Sequence, residues 1–488
     1  MFGAGVTMSR GLLVLNEFAA KTTQALKVHP HVPQDTQQIL ADDDFLALIP
    51  AEAAGDTAEL LRRSQILATR YPEQPMAHFA LGVAFASKKS WREAIAAYGQ
   101  AINLKQDFAE AWNNLGFALT QARCFTDAIA AYERAVDLKP DYAEAWHNLG
   151  IALHQSARND DAVAAHEKAV RLRADDAEAW CGLCAALGAL GRHEEAIDAG
   201  QRAVKFKPHS ASARHKLASA LLRVGRVEDA MAAFQKSLEL DPENSEAWLQ
   251  LGEACSRARR LEQAVVALRK AVMVDPDDAR TWNHLGIACG QTGKFDDAIA
   301  AFQESLKLNP NDPNEWNNLG NASSLAGNVN YALAAYQKAL ALKPDFAEAW
   351  HNLGSAFHKA AQHDDAIAAY QQALTINPQA AVSWRNLGFL HHQSGCSDDA
   401  IAAFQRAVTL KPDYADAWYQ LGVACDHADK TADAIAAYER ALALRPDDTV
   451  AWKELSAAYL KAGRSSDAVT ASHNAVKVKP DETVAWKA

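Results

Sequence analysis

Apolar and polar positions along the chain repeat on two scales. Over a few turns, Trp146, Leu149, Gly150 and Leu153 follow the i, i+3, i+4, i+7 spacing, which gathers them on one face of a helix. Over longer stretches the same arrangement returns every 34 residues. Trp112, Trp146 and Trp180 are followed, after one gap, by Trp248, Trp282, Trp316, Trp350, Trp384, Trp418, Trp452 and Trp486. Arg214 stands in the gap, and His78 holds the slot before Trp112. With this tryptophan as the fourth position, twelve complete units fill residues 75–482. The seventh position is Leu in all twelve, the eighth is Gly in nine, and the twentieth and twenty-third are always Ala. The thirty-second is Pro in ten. Small residues at these columns let a second helix approach the first closely, so each unit is expected to be a helical hairpin whose tryptophan is core.

Helix ends are marked as well. Asp141 and Glu144 are expected to form a capping box ahead of Trp146, with Asp in place of Ser or Thr. Asp160 and Asp161 open the second helix, and Lys139-Pro140 closes the previous one, as the helix dipole favours. Upstream, "DTAELLRRSQILATRYP" places Pro72 in register, so residues 41–74 read as a degenerate unit. Residues 1–40, with "GLLVLNEFAAKTTQAL", read as an amphipathic capping helix and linker, and 483–488 as the start of a truncated thirteenth unit.

The unit "AEAWNNLGFALTQARCFTDAIAAYERAVDLKPDY" at 109–142 resembles the tetratricopeptide repeat (TPR) consensus almost throughout, and the resemblance covers 75–488. It implies an all-α fold: paired antiparallel helices stacked into a right-handed superhelical α-solenoid.

Charge and composition narrow the function. A net charge of −11 argues against a nucleic-acid backbone as partner. No apolar run approaches the eighteen or so residues of a membrane span, so no membrane insertion is expected. Seven cysteines cannot all pair within one chain, which favours a reduced, cytoplasmic setting.

Positions 2, 5, 6, 9, 12 and 13 fall opposite the buried stripe of the first helix, and in the TPR family this face lines a concave groove. The sixth column carries Asn114, Asn148, Asn318, Asn352 and Asn386, with His284 and Gln420 as polar relatives. The fifth carries Asn113, His147, Asn283, Asn317, His351 and Arg385, and Asn321 adds an amide at the ninth. An amide offers both donor and acceptor, so spaced amides suit the backbone of an extended peptide. The sixth-position ladder is similar to that of O-linked N-acetylglucosamine transferases, with an interruption from Gly182 to His284. Carboxylate-clamp modules use a charged set that is incomplete here, since Lys453 is followed by Ala457 and Arg385 by Phe389 at the ninth position.

The expected function is therefore a non-enzymatic scaffold binding extended segments of other proteins. The alternatives are the substrate-recognition region of a multidomain enzyme, such as a glycosyltransferase, and a self-assembling scaffold. No cofactor, metal or catalytic group is expected. The single CxxC, Cys181 to Cys184, has no second pair, and Cys184 occupies the small-residue core column. "CGQTGKF" lacks the spacing of a phosphate-binding loop, and "HEEAI" at His193 fails HExxH. Histidines on the groove columns read as polar lining. Residues 177–244 depart most from the consensus, through Cys184, Gly200, Arg214 and Ala218, and are expected to form a softer hinge or a partner-specific surface. The last helix, with Val469, Val476 and Val478, is covered by a stub alone, so this end is expected to pack against another copy (a homo-oligomer), a partner, or sequence absent from this chain.

Overall fold

The computed structural model describes Leu48 and residues 55–478. Among the described residues stand twenty-five helices and no strand, an all-α solenoid. First helices run from the first to the thirteenth position, as in Ala143–Gln155 and Ala347–Lys359, except Ala211–Val224, which is one residue longer; second helices run from the seventeenth to the thirtieth, as in Asn159–Leu172. Thr57–Arg70 begins at the seventeenth position of the 41–74 unit, in the same register. The expected capping segment 1–40 and the stub 483–488 lie outside the described residues. The chain divides into two compact units, Met1–Ala258 and Arg259–Ala488. Within each, consecutive described helices pack on one another, both inside a repeat and across to the next.

Close helix approach depends on the eighth and twenty-fourth columns together. A Cβ at Gly82, Gly116 or Gly422 would stand 2.5, 2.8 or 2.6 Å from the ring of Tyr98, Tyr132 or Tyr438. Where the eighth position gains a side chain, the twenty-fourth shrinks in two of the three cases. Cys184 faces Gly200, and Ser456 faces Ser472, the two hydroxyls 2.8 Å apart. Ala218 instead keeps a buried Phe234. At Gly200 the backbone of Leu217 closes in, its Cα 3.1 Å from where a Cβ would sit. The glycine is thus met by the backbone of the next helix.

The fourth-position tryptophans are half-buried, and each indole also donates a hydrogen bond. Trp146 Nε1–H reaches the carbonyl oxygen of Pro140 at 3.0 Å, and Trp350 that of Pro344 at 2.9 Å. The same bond, to the residue six positions upstream, recurs at Trp112, Trp180, Trp248, Trp282, Trp316, Trp384, Trp418 and Trp452. It ties each first helix to the loop before it.

The expected capping box at Asp141 and Glu144 does not form. The N-cap of Ala143–Gln155 is Tyr142, with no side-chain cap, because Asp141 lies one residue too early. The capping column is the thirty-fourth, where Asp176, Ser210, Asn244, Asp278, Asp312 and Asp448 accept from first-turn N–H groups. Four repeats carry an aromatic ring there instead. The lysine three residues before sits over it: Lys105 over Phe108, Lys139 over Tyr142, Lys343 over Phe346 and Lys411 over Tyr414, at 4.8–5.4 Å.

Candidate functional site: polar columns of the first helices

In the first unit, Asn113 is almost fully buried, at 2% exposure. Its Oδ1 accepts from Asn148 Nδ2 of the next repeat at 3.0 Å, and its Nδ2 donates to Asn114 Oδ1 at 3.3 Å. In the second unit Asn317, also 2% exposed, repeats the arrangement. It accepts from Asn352 Nδ2 at 3.0 Å and donates to Glu348 Oε1 at 3.3 Å. A fifth-position side chain thus bridges to the following hairpin.

His351 and Arg385 also reach the next repeat, whereas His147 packs within its own. His351 Nδ1 lies 2.8 Å from Ser383 Oγ of the next repeat, and burial lowers its pKa. Arg385 donates through Nε to Asp416 Oδ2 at 2.7 Å and through Nη1 to Asn386 Oδ1 at 3.1 Å. Glu315, buried in the following repeat, has its carboxyl pushed up by burial, an effect that Ser305 and Asn283 oppose. His147 packs against His166, ring centroids 5.3 Å apart. The fifth column was expected to line an open groove. Asn113 and Asn317 are instead covered, because the neighbouring hairpin lies over that side of the helix. The partners at the third position, Ser383 and Glu315, were not foreseen. The signal was a departure from the alanine usual at that position.

The sixth column is different. Asn114, Asn148, Asn318, Asn352, Asn386 and Gln420 are all half-buried. Asn148 and Asn352 each engage one N–H in the bridge to the preceding repeat, which fixes the amide plane and leaves its carbonyl oxygen without a hydrogen-bond partner among the described residues. Asn386 bonds in both directions, donating to Tyr370 Oη at 3.2 Å and accepting from Arg385. His284 Nδ1 lies 2.8 Å from Arg280 O in its own helix. At the ninth position Asn321 Oδ1 accepts from Tyr336 Oη–H at 2.7 Å.

The ladder is interrupted at Gly182 for a local reason. His166 takes the twenty-fourth position, and its ring would lie 2.3 Å from a Cβ on Gly182 and 2.6 Å from one on Gly150. The imidazole is 1% exposed and fills space that belongs to side chains in other repeats. Burial, then His147 and His154, hold its pKa well below the usual histidine value.

All seven cysteines are free. Burial pushes the Cys181 and Cys184 thiols up to about 12, so both rest protonated at neutral pH. Among the described residues no helix is long and apolar enough to cross a membrane.

These features place the chain among known proteins. No curated protein matches it. Among solved structures, MamA is 27% identical over 34% of this chain and 96% of its own, with a TM-score of 0.33. The Cut9–Hcn1 hetero-tetramer of APC/C is 16% identical over 95% and 96%, with a TM-score of 0.39. YrrB, described as a TPR protein with an unusual peptide-binding site, is 24% identical over 38% and 96%, with a TM-score of 0.32. Tetratricopeptide-repeat models match residues 221–286 and 279–312. The model of the cilia and flagella-associated protein 70 C-terminal domain, a TPR domain, matches 50–247 and 310–487, more than half of the chain. The chain therefore belongs to the tetratricopeptide-repeat family that this model describes.

Proposed function

We propose that this chain is a scaffold that holds extended segments of other proteins against the first-helix faces within each of its units. The observation that carries the reading is the preset amide. Asn148 and Asn352 are oriented by buried asparagines one repeat back, each at 3.0 Å, and keep an acceptor for a guest backbone N–H. A fixed amide loses little conformational freedom on binding, so several weak contacts can sum to useful affinity. The fifth column then serves as support, and Asn114, Asn148, Asn318, Asn352 and Gln420 are the contact residues. The amide ladder is also the basis for likening the array to O-linked N-acetylglucosamine transferases, and backbone recognition is the feature we carry over. We place the protein in a reducing, cytoplasmic setting, in keeping with its seven free thiols.

The test is site-specific photo-crosslinking from positions 148 and 352, with Arg134 and Lys338 on exposed second-helix faces as controls. Crosslinks from the sixth column should map to short linear segments. Synthetic versions of those segments should bind the parent chain and lose affinity with Asn148→Ala or Asn352→Ala. Equal crosslinking from the control positions, or binding that only folded domains support, would count against the proposal.

A further inference from the structure

The turn between paired helices carries a recurring ion pair. In four repeats a basic residue at the sixteenth position pairs with the acid at the nineteenth. These are Arg158 with Asp161, Arg192 with Glu195, Arg226 with Asp229 and Arg464 with Asp467, at 2.6–2.7 Å. The eleventh position beside them is hydrophobic and usually buried, as with Leu153, Leu187, Leu221 and Tyr459.

Repeat 381–414 departs from this design at two places and keeps the third. His391 replaces the apolar residue, Cys396 replaces the base, and Asp399 remains. The donor atoms of these three side chains lie within 4.8 Å of one another. The turn that presents them is tied by backbone bonds, Cys396 N–H to His391 O at 2.9 Å and Gly395 N–H to His392 O at 3.1 Å. Gly395 takes the positive φ of 77° that the turn needs. The nearby cation Lys430 bonds Asp398, at 2.8 Å.

We propose that His391, Cys396 and Asp399 form a binding site for a divalent transition-metal ion of the zinc class. The ion takes the place of the guanidinium that neutralises the acid in the sister turns. Imidazole, thiolate and carboxylate are the donors zinc prefers, and three protein ligands leave a fourth position for water. Ligand atoms around a tetrahedral zinc stand about 3.4 Å apart given its usual bond lengths, so side-chain rotation alone brings these donors into place. Binding converts the Cys396 thiol to thiolate and releases its proton to solvent. Repeat 109–142 supplies an internal control. Cys124 and Asp127 occupy the same two positions, but Leu119 stands where the histidine would be.

Cys124 and Cys396 are the two exposed cysteines, while the other five are buried. Alkylation of the full, reduced chain, followed residue by residue by mass spectrometry, therefore reads the site directly. Zinc should protect Cys396 several-fold and leave Cys124 unchanged, and cobalt(II) should give a thiolate-to-metal charge-transfer band. His391→Leu, which restores the residue of the sister repeats, should abolish both effects while the helical spectrum stays intact. Equal alkylation with and without zinc, or a cobalt band that survives Cys396→Ser or His391→Leu, would overturn the proposal.

Discussion

Arg214 donates from Nε and Nη2 to the carbonyl oxygen of Pro208, at 3.1 and 2.9 Å, and so makes the bond that a tryptophan indole makes in the other repeats. His78 does the same toward Pro72 at 2.8 Å. The column is thus a donor column as much as an aromatic one, and the gap in the tryptophan ladder is filled chemically. Arg214→Leu should lose about 1 kcal/mol, the net worth of a typical hydrogen bond, whereas Arg214→Trp should lose less. Chemical denaturation of the two variants at constant slope is the check.

Gly150 and His166 exclude one another's growth. A Cβ on Gly150 would meet the imidazole at 2.6 Å, so Gly150→Ala should cost about 1–3 kcal/mol through overpacking. Paired with His166→Ala the same change should cost much less, and a double-mutant cycle measures the difference. Additive losses would show that the two do not share one space.

The buried asparagines separate support from contact. Asn317→Ala removes the acceptor of Asn352 and the donor to Glu348. It should destabilise by about 1–3 kcal/mol, the cost of stranding buried polar groups. Asn318→Ala, half-buried and outside that bridge, should stay within about 0.5 kcal/mol. Thermal unfolding distinguishes them.

Acid should weaken the first unit. His166 is held well below its usual pKa, and His215 is lowered to about 4, both chiefly by burial. The folded chain prefers both rings neutral, while the unfolded chain takes up protons near pH 6.5. Their contribution is therefore complete above about pH 6.5 and falls as pH drops toward the folded value, by at most about 1.4 kcal/mol per pH unit for each ring. His166→Tyr, the residue of several sister repeats, should flatten the loss between neutral and mildly acidic pH. Denaturation midpoints for the two chains across that range give the answer.

Ala361 occupies the left-handed turn position, at φ 59°, where Gly327 and Gly395 stand in adjacent repeats. Relief of left-handed strain is worth about 1–2 kcal/mol, and the added unfolded-state freedom of glycine removes about 0.4–1. Ala361→Gly should therefore stabilise modestly, visible as a raised unfolding midpoint.

The fold was readable because its cause is local and repeated. A leucine in all twelve units, with tryptophan in ten and glycine in nine at helical spacing, leaves one architecture. The site was readable to the level of a helix face. A 100° wheel locates Asn113 and Asn114 on the same side of one helix, but it carries no information about how far the next hairpin covers that side. Asn113 is consequently hidden while Asn114 is not. The indole bond to Pro140 was illegible for a similar reason, since its acceptor is a backbone carbonyl and leaves no mark on the sequence. The supposed capping box failed by a single residue, the margin within which helix starts are hardest to place. His391 passed as one more histidine because its meaning depends on the cysteine and aspartate folded beside it.

The indole-to-carbonyl bond crosses each repeat boundary yet joins residues only six apart. Excision or duplication of any whole multiple of 34 residues rejoins every such latch intact, while a change of 33 or 35 breaks one. The identical octets Ala143–Gly150 and Ala347–Gly354 stand six 34-residue steps apart, so a chain joined from one to the other would keep the same latch at its new junction.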